Sequence, residues 1–344
     1  MTGVNGSGTP ETNDEILVER KKRILNPKTL VFLALSLSLV YFLVRKLDPG
    51  ATLDAARNAD PLLILASCAV YFANNFFKAL RFRVMLGDFK IPFLDLYTIT
   101  SYHNFFNQIL PARTGELTYI YYLKKIGKAD VSKGLHALVV TRIFDFIVIS
   151  GIFICSAMMY FGKRTSPVMI AAGALFFIVS VITLFNLKWL VVVCGRLIHL
   201  AAEKLGMRRR PVVDKIIGKI DSVTDEFSSF KTGRFVPMLA LTSLCTWLTL
   251  YFLFYLTIRA FGIDIGIIQS VVGSTGGVLM NVLPINSFGS FGTMEAGWTG
   301  GFILAGMKEH DAIFTGFGYH FISFFASALI AFICYLVMKI TKRQ

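Results

Sequence analysis

Apolar residues fall in long uninterrupted blocks along this chain, separated by short segments where Lys and Arg collect. Val236 to Ile258, Thr165 to Leu187 and Ala312 to Met338 contain no Asp, Glu, Lys or Arg. Each exceeds the roughly 20 residues that a helix needs to cross a hydrocarbon core about 30 Å thick. The pattern predicts spans over Leu30 to Lys46, Pro61 to Arg81, His136 to Phe161, Pro167 to Arg196, Val236 to Arg259 and Asp311 to Ile340.

Two further blocks are apolar but interrupted. Ile91 to Ile120 is broken by Pro111, and Ile265 to Met307 by Pro284 and by Gly273, Gly276, Gly277, Gly289, Gly292, Gly297, Gly300 and Gly301. Proline removes a backbone donor and breaks a helix.

Charge decides how these blocks thread a bilayer. The basic segments are the N-terminal tail with Arg20 to Arg23, Lys124 to Lys133, Arg196 to Arg234 and Lys339 to Arg343. The positive-inside rule puts all four in the cytoplasm. Each interrupted block must then enter and return on one side, which gives six full spans and two proline-broken re-entrant segments inserted from opposite faces. The expected fold is an all-α polytopic membrane protein arranged as an inverted repeat. Counting both interrupted blocks as full crossings is the alternative; it gives eight spans and puts Arg196 to Arg234 outside. Residues 1–28 read as a disordered cytoplasmic tail and 29–340 as a single transmembrane domain. Within it, 196–234 is a basic linker whose Ile216, Ile217, Ile220 and Val223 recur at helical spacing, as on an amphipathic surface helix or a solvated connection.

Composition agrees: 55% of the 344 residues are hydrophobic and 16% charged. The formal charge of +14 lies in the short segments between apolar blocks, so topology and anionic lipid explain it, and no nucleic-acid partner is expected. Five cysteines sit inside apolar stretches without CxxC spacing, and neither a disulfide frame nor a metal site is expected. No Walker A motif is present, so no nucleotide cofactor is expected.

The two breaks resemble each other. Asn107, Leu110 and Pro111 lead into Arg113, Gly115 and Glu116; Asn281, Leu283 and Pro284 lead through Asn286, Ser287, Gly289, Ser290 and Gly292 to Glu295. Inverted repeats with broken helices near the midplane recur among transporters. A break exposes amide groups at the start of the next half-helix, where a phosphate is favoured; a flexible packing loop is the alternative. Arg113, Glu116, Arg142, Asp145 and Glu295 lie where a charge costs at least about 2.5–3.5 kcal/mol, so one polar cluster is expected. From a start at His136, Asp145 stands about 14 Å along its helix, near mid-bilayer. The cluster either binds an anionic head group or carries protons, or else it locks the broken segment through Arg142–Glu116 and Asp145–Arg113 pairs. His103 and His320 read as hydrogen-bonded core histidines.

At these residues the chain resembles the flippase-like membrane domain of lysylphosphatidylglycerol synthase, the multiple peptide resistance factor. The resemblance rests on NQILPARTGEL from Asn107, TRIFDF from Thr141 and LPINSFGSFGTMEAG from Leu283. It implies movement of a phosphate-bearing lipid, a phospholipid or a polyprenyl-phosphate-linked sugar, across the bilayer. Residue by residue it implies roles for Asn107, Pro111, Arg113, Gly115, Glu116, Arg142, Asp145, Pro284, Ser287, Gly289, Gly292 and Glu295. No counterpart of the synthase's soluble aminoacyl transfer domain precedes Gln344, and no synthase activity is expected. The implied partners are anionic membrane lipids and a lipid-modifying enzyme or glycosyltransferase. A secondary transporter of a small soluble anion, and a membrane enzyme acting on a lipid phosphate, are the competing classes.

Overall fold

Helix ends are set by local chemistry. Asp60 caps the helix that begins at Pro61, its carboxylate accepting from the Leu62 and Leu63 amides at 2.8 and 3.3 Å. That helix stops at Gly87, whose φ of 55° suits glycine. The computed structural model describes residues 27–87, 89–110, 114–162, 166–204, 232–282 and 288–341. Among them lie α1 (Pro27–Val44), α2 (Pro49–Arg57), α3 (Pro61–Leu86), α4 (Phe93–Asn107), α5 (Glu116–Lys125) and α6 (Val131–Phe161). They continue with α7 (Pro167–Phe185), α8 (Leu187–Lys204), α9 (Thr232–Ala260), α10 (Ile267–Val282), α11 (Thr293–Leu304) and α12 (Glu309–Ile340). The described residues hold no strand.

This is an all-α polytopic membrane protein. Pro61–Leu86, Val131–Phe161, Phe235–Ala260 and Glu309–Ile340 are long and apolar enough to cross a bilayer. Outward faces are apolar too: on α12, Phe321, Phe325 and Phe332 are exposed, a surface suited to lipid rather than water.

One of the six expected spans differs. The block expected as one helix from Pro167 to Arg196 bends by 74° between α7 and α8. Asn186 stands at the bend, its side-chain amide donating to the Ile182 carbonyl at 2.8 Å. Beyond it Arg196, His199 and Glu203 recur at helical spacing, so α8 is amphipathic rather than apolar all round. Residues 1–26 and 205–231, including Ile216, Ile217, Ile220 and Val223, lie outside the described residues.

Both interrupted blocks form hairpins of two antiparallel helices. In the first, α4 packs on α5 with His103 beside Tyr119 at 5.7 Å between ring centres and Tyr102 beside Tyr122 at 4.8 Å. In the second, α10 packs on α11 so closely that a Cβ at Gly276 would overlap the Gly297 carbonyl, and one at Gly301 that of Gly273. The sequence pattern marks Gly273, Gly276, Gly297 and Gly301 as interruptions, yet they sit inside helices and permit this approach. Gly289 and Gly292, at φ 61° and 86°, belong to the break itself.

Each hairpin lies between long helices: α3, α4–α5, α6, then α9, α10–α11, α12. The leading helices α3 and α9 run antiparallel. The Asp60 amide meets the Ala260 carbonyl at one end, Asn74 donates to the Thr246 carbonyl at 2.6 Å in the middle, and Gly87 lies against Phe235 at the other. The hairpins therefore start from opposite ends of the bundle, and their tips converge, with Gly289 packed on the Gln108 carbonyl.

Candidate functional site

A cavity of about 180 Å³ opens where the two tips meet. The first hairpin lines it with His103, Asn104, Asn107 and Gln108, the second with Asn281, Gly289 and Ser290. The long helices add Lys78 and Arg81 from α3, Arg142 and Asp145 from α6, Trp247 from α9 and His320 from α12.

Asp145 is the centre of the charged wall. With its side chain 2% exposed, it accepts from Arg81 at 2.5 Å, Arg142 at 3.1 Å and the Trp247 indole at 2.8 Å. Arg142 also reaches Glu116, the first residue of α5, at 2.6 Å. A charge taken out of water costs several kcal/mol unless paired and hydrogen-bonded; this network pairs two guanidinium groups with two carboxylates across α3, α5 and α6.

The second hairpin repeats the device with different chemistry. Glu295, in the first turn of α11 and fully buried, lies 2.5 Å from His320 Nδ1 and accepts from the Gly292 amide at 2.7 Å. Arg142 and His320 each stand eleven residues into their helices, so the two hairpins are held by corresponding pairs. Phe291 stacks on His320 at 3.9 Å between ring centres.

The sequence predicts one cluster of five charges. Four of the five are described, and they fall in two groups: Glu116, Arg142 and Asp145 share one network, while Glu295 pairs with His320, because the inverted arrangement gives each hairpin its own glutamate and its own nitrogen partner. Arg113 lies outside the described residues, as do Pro111, Pro284, Asn286 and Ser287. The expected Asp145–Arg113 pair therefore involves a residue that is not described; the described partners of Asp145 are Arg81, Arg142 and Trp247. At the second break the Gly292 amide, offered by the sequence as a phosphate donor, is occupied by Glu295. Gly115 packs against Asn107 and Gly292 against Leu39, so both serve close approach; Ser290 donates to Asn281 at 3.3 Å. His103 meets the Gly115 carbonyl at 3.3 Å.

Sequence reasoning misses Lys78, Arg81, Asn104 and Gln108. A second span ending at Arg81 makes Lys78 and Arg81 a basic flank, whereas α3 continues to Leu86. The available signal is the spacing of Asn74, Lys78 and Arg81, which places three polar groups on one helical face.

A duplicated helix–hairpin–helix bundle enclosing a charged cavity defines a multi-pass membrane protein with its polar centre inside. The chain belongs to the family described as the lysylphosphatidylglycerol synthase TM region, whose model matches residues 29–331. It is similar to a UPF0104 membrane protein of Methanothermobacter thermautotrophicus, 23% identical over 294 residues, covering 81% of this chain and 84% of that protein. It is also similar to the glycosyltransferase AglD of Haloferax volcanii, 27% identical over 139 residues. That match covers 39% of this chain and 21% of AglD. No solved structure matches.

Proposed function

We propose that this chain moves a phosphate-bearing lipid across the cytoplasmic membrane, by flipping or scrambling, with both termini in the cytoplasm. The head group passes through the cavity between the broken helices while the tails stay in hydrocarbon. The observation that carries this reading is the cationic wall of Lys78, Arg81 and Arg142 inside an apolar bundle. Broken backbone at membrane depth is tolerated where it is buried in protein or lines a polar cavity, and cationic donors there favour an anion. The role is transport rather than catalysis, within one membrane domain over 29–340. The family relationship supports work on a membrane lipid, and the partial match to a glycosyltransferase supports a partner enzyme of that kind. A phospholipid and a polyprenyl-phosphate-linked sugar both carry the required group.

A second reading, export or uptake of a small soluble anion, is favoured by the cavity volume, which falls below the roughly 300–1,000 Å³ of pockets for larger ligands. Reconstitution in liposomes separates the two. Dithionite bleaching of head-group-labelled phospholipid and polyprenyl-phosphate lipid is followed for wild type, Arg142→Gln and Glu116→Gln at matched protein density. Rapid loss of the protected signal in wild type, slowed severalfold in both variants, is expected. Absence of protein-dependent loss with either lipid, with and without a proton gradient, would sink lipid translocation; uptake of phosphate by the same vesicles would put the soluble anion in its place.

A further inference from the structure

Lys78 is unlike the other cations of the cavity. It stands in the second half of α3, one helical turn before Arg81, and among the described residues no carboxylate lies within ion-pair distance of it. Its single hydrogen bond there runs to Asn104 Oδ1 at 3.3 Å. An ammonium carries three donors, so two remain for a ligand.

Its one contact is part of a relay that orients it. Asn104 donates to Asn75 Oδ1 at 2.6 Å, Asn75 donates to Ser101 Oγ at 2.9 Å, and Ser101 donates to the Tyr97 carbonyl at 2.8 Å. The relay ties α3 to the first hairpin and turns the Asn104 oxygen toward Lys78. Beside it, the buried Nε donors of Arg81 and Arg142 have no hydrogen-bond partner among the described residues, and both residues line the cavity. Unused donors on Lys78, in a cavity that the Arg81 and Arg142 side chains also line, call for a ligand group rich in acceptors and negatively charged. With Lys78 protonated, Lys78, Arg81 and Arg142 face Glu116 and Asp145, which leaves positive charge in surplus on this wall.

We propose that Lys78 is the phosphate anchor of the cavity, its ammonium bonding a phosphate oxygen of the lipid head group in the positive field of the neighbouring Arg81 and Arg142 side chains. This rests on the lipid-translocation reading for its ligand and extends it to a named residue. The Arg81–Asp145–Arg142–Glu116 network is then mainly the scaffold, and Lys78 the group that a ligand neutralises.

Binding is measured apart from movement. The full chain in nanodiscs is titrated with phosphatidylglycerol, a short polyprenyl phosphate, inorganic phosphate, and diacylglycerol as the phosphate-free control, comparing wild type, Lys78→Gln and Lys78→Arg after each is checked for monodispersity. A lost charged hydrogen bond predicts about tenfold or greater weakening for the phosphate-bearing lipids in Lys78→Gln, substantial recovery in Lys78→Arg, and no change for diacylglycerol. Lys78-dependent binding of inorganic phosphate alone supports the anchor and assigns it a soluble anion. Affinity in Lys78→Gln within about twofold of wild type, or no phosphate-dependent binding by wild type, overturns the anchor. If Lys78→Gln is not monodisperse, Lys78→Arg decides by the retention of phosphate-dependent binding, its loss in a folded protein overturning a simple cationic anchor. A wild type that binds through Lys78 yet moves no lipid would sink the translocation reading alone; movement unaltered in Lys78→Gln would sink the anchor alone.

Discussion

Asp145 takes hydrogen bonds from α3, α6 and α9 at once, so its carboxylate joins three helices. Asp145→Asn leaves Arg81 and Arg142 short of a counter-charge, and loss of one partner from a buried ion pair costs about 3–5 kcal/mol. A large fall in thermal midpoint in detergent is expected. Glu116 is 24% exposed and its partner Arg142 retains Asp145, so Glu116→Gln should lower the midpoint less; an equal fall would contradict this ranking. Arg142, Asp145 and Glu116 are legible in the sequence because a charge in an apolar block has to be explained. Lys78 and Arg81 are not, because near the end of such a block a cation at the water boundary and a cation aimed inward look alike. The path of α3 distinguishes them.

At the scale of elements, the two hairpins are legible from Pro111 and Pro284 and from the basic segments that force a return. The glycines of the second block are harder to read, since a glycine that ends a helix and one that lets another helix approach are the same letter. Gly276 belongs to the second kind: with the Gly297 carbonyl in the space of any added Cβ, Gly276→Ala forces α10 and α11 apart. Overpacking of this sort costs about 1–3 kcal/mol or more, and reduced thermal stability with easier proteolysis of the second hairpin is expected. Gly300 on α11 has nothing within 4 Å of a Cβ, so Gly300→Ala should leave stability unchanged in the same assay. Equal effects from the two substitutions would remove close packing as the explanation.

For the whole molecule, the short similarity between the breaks extends to complete units, long helix, hairpin, long helix, which no local motif could reveal because most of each unit shares only apolarity. Antiparallel α3 and α9 put the 89–92 and 261–266 connections at opposite ends of the bundle. In a cysteine-free background, Lys90→Cys should therefore react with an impermeant maleimide from one side of oriented vesicles and Asp264→Cys from the other. Labelling of both from the same side would exclude the inverted arrangement. The bend at Asn186 stays hidden in the sequence because Thr165 to Leu187 is uniformly apolar and the amphipathic face starts beyond it.

The duplication is not complete, for α1 lies outside both units and holds the second break: Ser36 donates to the Phe291 carbonyl at 2.9 Å, and Leu39 fits against Gly292. The main packing of α1 falls on that break and on α11, so any displacement of the second tip must first unfasten α1, whereas among the described residues no hydrogen bond ties the first tip to it. The two matched halves are therefore restrained unequally at their tips, and in the translocation proposed above the tip that α1 fastens is expected to yield after the other.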